Sequence, residues 1–339
     1  MSTCLAAAVD PELQRKLVDS ERSLLHVNPA AAGVVSTTRT PPAVLDDWRV
    51  LAAVRFMEQH LDARMRLEDI AARADLSPHH FQRYFKKLLG QSPAAYRRRI
   101  QLERAALHLW ITGHPVIDIA FMAGYASHEA FVRAFHAQFG RVPSEYRNHA
   151  RQQVSFPTGE ERGRVAEIRV CEQQQVPLLA MRFYGPYASV ETHWQRFVER
   201  LHVLGIAPER FQAIGIAYDS PEIVHNAFIR YDCAIVTSDY DHRRSGLARL
   251  PFRAGAYGVL SHDAPYDRIF STYRVLSTAW LPTMADELRM ELTCVYECYR
   301  EPPWLNVGGS QRFDLMLPVA WLRAPPRPTG ARARTGNVV

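Results

Sequence analysis

The sequence predicts a multi-domain fold: an all-α double helix-turn-helix unit, followed by an α+β unit of two β-α-β-β repeats. Two observations lead there. Residues 77–97 recur at 127–147 with a constant offset of 50, sharing the pattern S-x3-F-x-R-x-F-x4-G-x2-P-x2-Y-R; self-similarity of this kind marks a duplicated supersecondary unit. Beyond residue 165 the helical apolar spacing gives way to short β-branched and aromatic runs around single helices, the pattern of an α+β domain.

In chain order, residues 1–45 are rich in Ala, Thr and Pro and are expected to be a disordered extension, in which 13–27 could form a helix. Each repeat copy then opens on a short helix, with Leu67, Ile70, Ala71 and Ala74 at helical spacing in the first and Val116, Ile119, Ala120 and Ala123 in the second. A sharp turn follows. Gly124 supplies a left-handed backbone there in the second copy, and Asp75 stands near the equivalent place in the first. Ser77 and Ser127 sit at N-cap positions, with Pro78 at the first helical position. The second helices carry Phe81 and Phe85, or Phe131 and Phe135, on one face and Gln82, Arg83 or Val132, Arg133 on another, and they close at Gly90 and Gly140. Residues 93–111 read as one helix joining the copies, roughly 28 Å long and close to the ~34 Å between successive major-groove faces.

A short helix, a tight turn and a second amphipathic helix with basic and amide side chains form the arrangement whose second helix enters the major groove. Between residues 83 and 104, seven basic residues stand against one acid, Glu103, the electrostatic footprint of a phosphate-binding face. The formal net charge of +6 alone says less: Lys16, Lys86 and Lys87 are the three lysines, so arginine supplies the rest of the 41 basic residues, a composition bias.

Residues 46–150 resemble the DNA-binding domain of AraC-type bacterial transcription regulators. The second copy carries most of that signature: Asp118-Ile-Ala-x3-Gly124-Tyr125-x-Ser127-x3-Phe131-x-Arg133-x-Phe135-x4-Gly140-x2-Pro143-x2-Tyr146-Arg147. The resemblance implies double-stranded DNA as partner, with His79, Gln82 and Arg83 of the first recognition helix and His128, Glu129 and Arg133 of the second at base edges or phosphates. Lys86, Lys87 and Arg97 complete the expected DNA-binding set. Arginine can fork onto guanine and glutamine onto adenine, but Glu129 accepts only from a cytosine amino group. Val132 stands where relatives commonly place a polar contact, so the second helix is expected to read fewer bases. RNA polymerase is expected as a further partner, and two such motifs in one chain allow binding as a monomer.

Composition excludes several classes. Hydrophobic content of 47% suits a soluble globular chain, no apolar run approaches the ~18 residues of a membrane span, and the amino terminus lacks a secretory pattern. Five scattered cysteines, Cys4, Cys171, Cys233, Cys294 and Cys298, fit a reducing cytoplasm and lack the companions of a zinc site. No metal or cofactor is expected.

Residues 151–165, polar with Pro157 and Gly159, read as an interdomain linker, and 324–339 as a disordered tail. Between them, helices at 190–204 and 268–281 follow Gly185-Pro186-Tyr187 and Ala264-Pro265-Tyr266, and Tyr231-Asp232 is matched by Phe313-Asp314, giving offsets of 79 and 82. Two halves of one duplicated domain follow. Residues 166–323 resemble the GyrI-like effector-binding domain, two fused β-α-β-β units around a ligand cleft. In the strand around Glu297, Val295 and Tyr299 share the glutamate's face, while Cys294, Tyr296 and Cys298 point the other way. A buried carboxylate needs a cation or hydrogen-bond donors, and in the family a glutamate at this position faces the cleft. With Tyr299, Tyr187, Trp194 and Tyr257 as further lining, the expected effector is a flat or cationic amphipathic molecule. The competing reading pairs Glu297 with an arginine and leaves the aromatics as core.

The resemblances together imply a cytoplasmic, sequence-specific DNA-binding regulator set by a small molecule in the carboxy-terminal domain, with no catalytic residues. Two alternatives remain at this level. Some GyrI-like domains resemble hydrolases of reactive small molecules, in which Glu297 would be the base; others act by binding another protein.

Overall fold

The computed structural model describes residues 40–152, 156–240 and 245–322; the expected helix at 13–27, most of the 1–45 extension and the 324–339 tail lie outside them. A two-residue strand β1 (Val44–Leu45) leads into the all-α unit: α1 (Trp48–Gln59), α2 (Leu67–Ala72), α3 (Pro78–Leu89), α4 (Pro93–Ile111), α5 (Val116–Met122), α6 (His128–Phe139) and α7 (Pro143–Gln152). The turns before α3 and α6 are left-handed at Asp75 (φ 52°) and Gly124 (φ 80°), a conformation that Asp tolerates and Gly adopts freely. Ser127 caps α6 by accepting the Ala130 N–H at 3.2 Å. Ser77 makes no such bond, and Pro78 starts α3 instead.

The residues shared by the two copies are their cores. Phe81 and Phe85 are fully buried with Tyr96 edge-on to Phe85 at 5.7 Å, and Phe131 and Phe135 are fully buried with Tyr146 edge-on to Phe135 at 5.3 Å. The shared arginine is a staple in both. Arg97 donates to the Leu61 and Ala63 carbonyls ahead of α2, and Arg147 to the His114 carbonyl ahead of α5.

The linker differs from expectation. A short helix α8 (Gly159–Gly163) begins with a capping box between Thr158 and Glu161, and the Glu161 carboxylate, 3% exposed, pairs with Arg274 at 2.6 Å. Partners for the charge let this polar stretch pack.

The second unit is built on β2 (Arg169–Gln173), β3 (Val176–Tyr184), α9 (Val190–Val203), β4 (Ala213–Ala217), β5 (Arg230–Val236), β6 (Ala248–Phe252), β7 (Gly255–Pro265), α10 (Ile269–Arg274), β8 (Leu288–Met290), β9 (Val295–Tyr299) and β10 (Ser310–Trp321). Past α10 the chain widens into a π-helical turn (Val275–Trp280), so the expected helix at 268–281 is not uniformly α. The ten strands form one antiparallel sheet in the order β1-β3-β5-β4-β9-β10-β7-β2, with β6 on β3 and β8 on β10. A pseudo-twofold runs between β4 and β9, where Gly215 faces Glu297. The halves exchange their first strands: β2 pairs with β7, and β6 with β3.

Helices α9 and α10 cover one face of the sheet, where Phe183, Tyr231, Trp194 and Phe313 pack. The other face carries Tyr257, Tyr296 and Phe252. The core of the second repeat of the all-α unit is continuous with the cluster on the first face, while the first repeat docks on the second face at its β3–β5 end, through α1. There the last residues of the expected extension are ordered: Val44 and Leu45 pair with Phe183 and Arg182, and Leu45 is fully buried.

Candidate functional site

Helices α3 and α6 carry all but Arg97 of the residues expected to contact DNA. His79, Gln82, Arg83, Lys86 and Lys87 are exposed along α3; Glu129 and Arg133 are exposed and His128 half-buried on α6. Two residues of the basic cluster do other work. Arg97 donates from Nη2 to the carbonyls ahead of α2. Arg99 donates from Nη1 to both carboxylate oxygens of Glu103 at 2.9 Å and lies 4.8 Å over the Phe228 ring of the second unit. Glu129 also has a local role: hydrogen bonds from its own backbone N–H and from Ser127 hold its carboxyl below the usual range, as expected of an acid at a helix N-terminus.

The second candidate site centres on Glu297, which is 1% exposed. Three phenols donate to its carboxylate: Tyr231 at 2.6 Å, Tyr266 at 2.7 Å and Tyr299 at 2.9 Å. Burial pushes the carboxyl above its ordinary pKa, and the three phenols partly offset that. The arginine partner of the competing reading is thus replaced by a tyrosine cage. Room for it comes from Gly215: a Cβ there would overlap Tyr231 Oη and stand 2.6 Å from Glu297 Oε2. Gly215 and Glu297 are cross-strand partners separated by the 82-residue repeat offset, so one half supplies the carboxylate and the other the space.

The expected lining is partly brought together. Tyr299 is in the cage, and Trp194 stands edge-on to it at 5.3 Å. Tyr187 lies one ring behind, edge-on to Tyr231 at 6.3 Å, with its hydroxyl on the Asp219 carbonyl at 2.6 Å. Tyr257 is a correction. It points to the opposite face, edge-on to Tyr296 at 5.9 Å and bonded to the Arg253 carbonyl, because the strand period of two places it with Val259 and away from Ala256 and Leu260. Tyr231 and Tyr266 were missing from the expected site. Their signal was available in the repeat, since Tyr266 is the counterpart of Tyr187, and Tyr231 that of Phe313.

On the back of β5 lies a buried ionic junction that sequence spacing did not reveal. Asp232, fully buried, takes Arg182 Nε at 2.6 Å and Arg55 Nη2 of α1 at 2.6 Å, and accepts the Tyr218 hydroxyl at 2.6 Å. Glu58 of α1 takes Arg182 at 2.9 Å and Arg230 at 3.1 Å and accepts the Tyr96 hydroxyl at 2.6 Å. Arg230 also pairs with Asp219 at 2.6 Å. Three arginines therefore meet three carboxylates. Their guanidiniums hold the Glu58 carboxyl well below the usual range and lower that of Asp232, in both cases against the opposing effect of burial.

No helix among the described residues is long and apolar enough to cross a membrane. Among those residues no group of three or more His, Cys, Asp or Glu side chains could hold a metal. Comparison with known families matches a helix-turn-helix domain over residues 70–149 and a GyrI-like small molecule binding domain over 166–320. The right origin-binding protein of Escherichia coli K12 is 39% identical over 92 residues, covering 27% of this chain and 32% of that protein. The transcriptional regulator Rob of Salmonella typhimurium gives the same identity and coverage. This chain thus matches about a third of the length of those relatives. The regulatory protein SoxS of E. coli K12 is 34% identical over 95 residues, 28% of this chain and 89% of SoxS. With both repeat copies inside the helix-turn-helix match, SoxS covered over most of its length and the GyrI-like unit following, the chain belongs to the AraC family of helix-turn-helix regulators.

Proposed function

We propose that this chain is a sequence-specific, cytoplasmic transcription regulator that binds double-stranded DNA through α3 and α6, and whose DNA-bound state is set by a small amphipathic cation at Glu297. The observation that carries the reading is the double duty of β5. Tyr231 donates to Glu297 on one face, while its neighbours Arg230 and Asp232 hold Glu58 and Arg55 of the DNA-binding unit on the other. A ligand that draws Tyr231 from the carboxylate would move the strand that anchors α1. Coupling of this kind requires different ligand affinity in the two states, and a strand shared by both sites supplies a route to it.

The chemistry of the cage favours a cation. A desolvated carboxylate gains most from a positive partner, and the surrounding rings add cation–π attraction. Both oxygens of Glu297 are engaged by phenols, which supports binding over action as a general base. Contact with RNA polymerase is the route we assign from bound DNA to altered transcription.

The test is selection of genomic fragments by the purified protein at near-physiological salt, followed by affinity on the enriched duplex and on a scramble. A shared motif bound at least about a hundredfold tighter than the scramble is expected. Equal affinity, with or without a cationic ligand, would refute sequence-specific regulation.

A further inference from the structure

The three phenols of the cage come from different elements. Tyr231 and Tyr299 lie in strands β5 and β9, whereas Tyr266 opens the turn (Tyr266–Arg268) that runs straight into α10. The junction behind β5 holds the first DNA-binding repeat, through Arg55 and Glu58 of α1. The second repeat is held elsewhere, and its contacts with the effector unit converge on α10.

One contact runs through the segment after α7. There the Glu161 carboxylate of α8 accepts Ser271 Oγ at 3.0 Å and Arg274 Nη2 at 2.6 Å, both from α10. The other runs through the connection between β4 and β5, residues 218–229. Toward α10, Phe270 stands edge-on to Tyr187 at 6.1 Å, and the Tyr187 hydroxyl donates to the Asp219 carbonyl at 2.6 Å. Toward the DNA-binding unit, the Phe228 ring lies 4.8 Å from the Arg99 guanidinium of α4. Burial, and after it the Glu222 carboxylate of this connection, raises the phenols of both Tyr146 on α7 and Tyr273 on α10. Tyr146 closes the second repeat's core edge-on to Phe135, and one hydrophobic cluster takes in Phe135, Tyr146, Ile223, Phe270 and Tyr273. Close-packed rings leave little room to yield, so a shift at one end of such a cluster is felt at the other.

We infer that the cage has two outputs, one to each repeat: Tyr231 acts through β5 on the first, and Tyr266 acts through α10, Glu161 and residues 218–229 on the second. This rests on the reading of Glu297 as the effector site and adds to it which repeat each phenol serves. A ligand that displaces the Tyr266 hydroxyl from Glu297 shifts the start of α10, and with it both contacts to the second repeat. The two routes touch at the Arg230–Asp219 pair, 2.6 Å long, so their separateness has to be measured. Because α6 carries Val132 and is expected to read fewer bases than α3, the second response weighs less in total affinity and is read as local protection of the DNA.

The experiment is hydroxyl-radical footprinting of the selected operator by the full chain, with and without saturating phenyltrimethylammonium. It compares the wild type with Tyr231→Phe, Tyr266→Phe and Glu161→Gln, each checked for cation binding by calorimetry. The half-site that loses protection in Arg83→Ala is the one under α3. In the wild type the cation is expected to change protection at both half-sites. Tyr266→Phe should lose the change at the second half-site and keep it at the first, and Tyr231→Phe should do the reverse. Glu161→Gln leaves the cage untouched, so it should bind the cation like the wild type and lose only the second response. Should a Phe variant not bind the cation, Glu161→Gln decides alone. Loss of both responses in each Phe variant, with cation binding intact, overturns the separate outputs and leaves Glu297 as a single switch. A second response that survives Tyr266→Phe or Glu161→Gln also overturns the assignment. A wild type that binds no cation, or binds it without change at either half-site, would overturn the sensor reading of Glu297 together with this one.

Discussion

Glu297 is held by three hydroxyl donors in a buried setting, and its raised pKa sets a pH signature. Because the neutral form is favoured on folding, this group contributes stability below its unfolded pKa of about 4.3, and that contribution is lost as pH rises through the folded value. A bound cation reverses the preference. Affinity for phenyltrimethylammonium should therefore increase with pH above the ordinary glutamate range, with proton release visible as a buffer-dependent binding enthalpy. Glu297→Gln should weaken that binding at least about tenfold, the effect of losing a charged partner in a desolvated site, while DNA affinity stays unchanged. Proton-independent binding, or equal affinity in the variant, would remove Glu297 from the site. Glu297 was legible in the sequence because an acid in an apolar strand demands explanation. Its actual partners were less so, since choosing Tyr231 and Tyr266 over Tyr257 requires the phase of each strand. Arg97 shows the same limit: sequence marks a basic side chain, but not whether it meets a phosphate or a carbonyl.

At the scale of elements, α3 and β5 carry the account. Arg83 is exposed on α3, and Arg83→Ala should cost about 1–3 kcal/mol of specific binding if it reads a base. Equal losses on operator and random duplex would make it a phosphate contact instead. On β5, Asp232→Asn would leave Arg55 and Arg182 facing one another without the charge between them, with an expected loss of about 3–5 kcal/mol in urea unfolding. A loss below about 1 kcal/mol would mean that the junction is not a stabilising contact. The depressed pKa values of Asp232 and Glu58 have the opposite sign to that of Glu297: their contribution is present above the unfolded values and lost only as pH falls through the folded ones. The repeated helices and the duplicated sheet were readable from the 50-residue and roughly 80-residue offsets. The exchange of β2 and β6 between halves was not, because neither strand's composition names its partner.

For the whole molecule, two units legible as separate segments form one continuous structure through β1, α1 and the ionic junction. Arg55 and Asp232 are 177 residues apart, a pairing that no local pattern encodes. In the proposed mechanism, β5 transmits occupancy of the Glu297 cage to the DNA-binding unit. The most direct measurement is affinity for the selected operator, with and without saturating phenyltrimethylammonium, in the wild type and in Tyr231→Phe, which loses only the hydroxyl that bonds Glu297. A shift of at least about fivefold in the wild type, greatly reduced in a variant that still binds the cation, is the predicted result. An operator affinity indifferent to bound cation, or a shift of equal size in both proteins, would contradict transmission through β5.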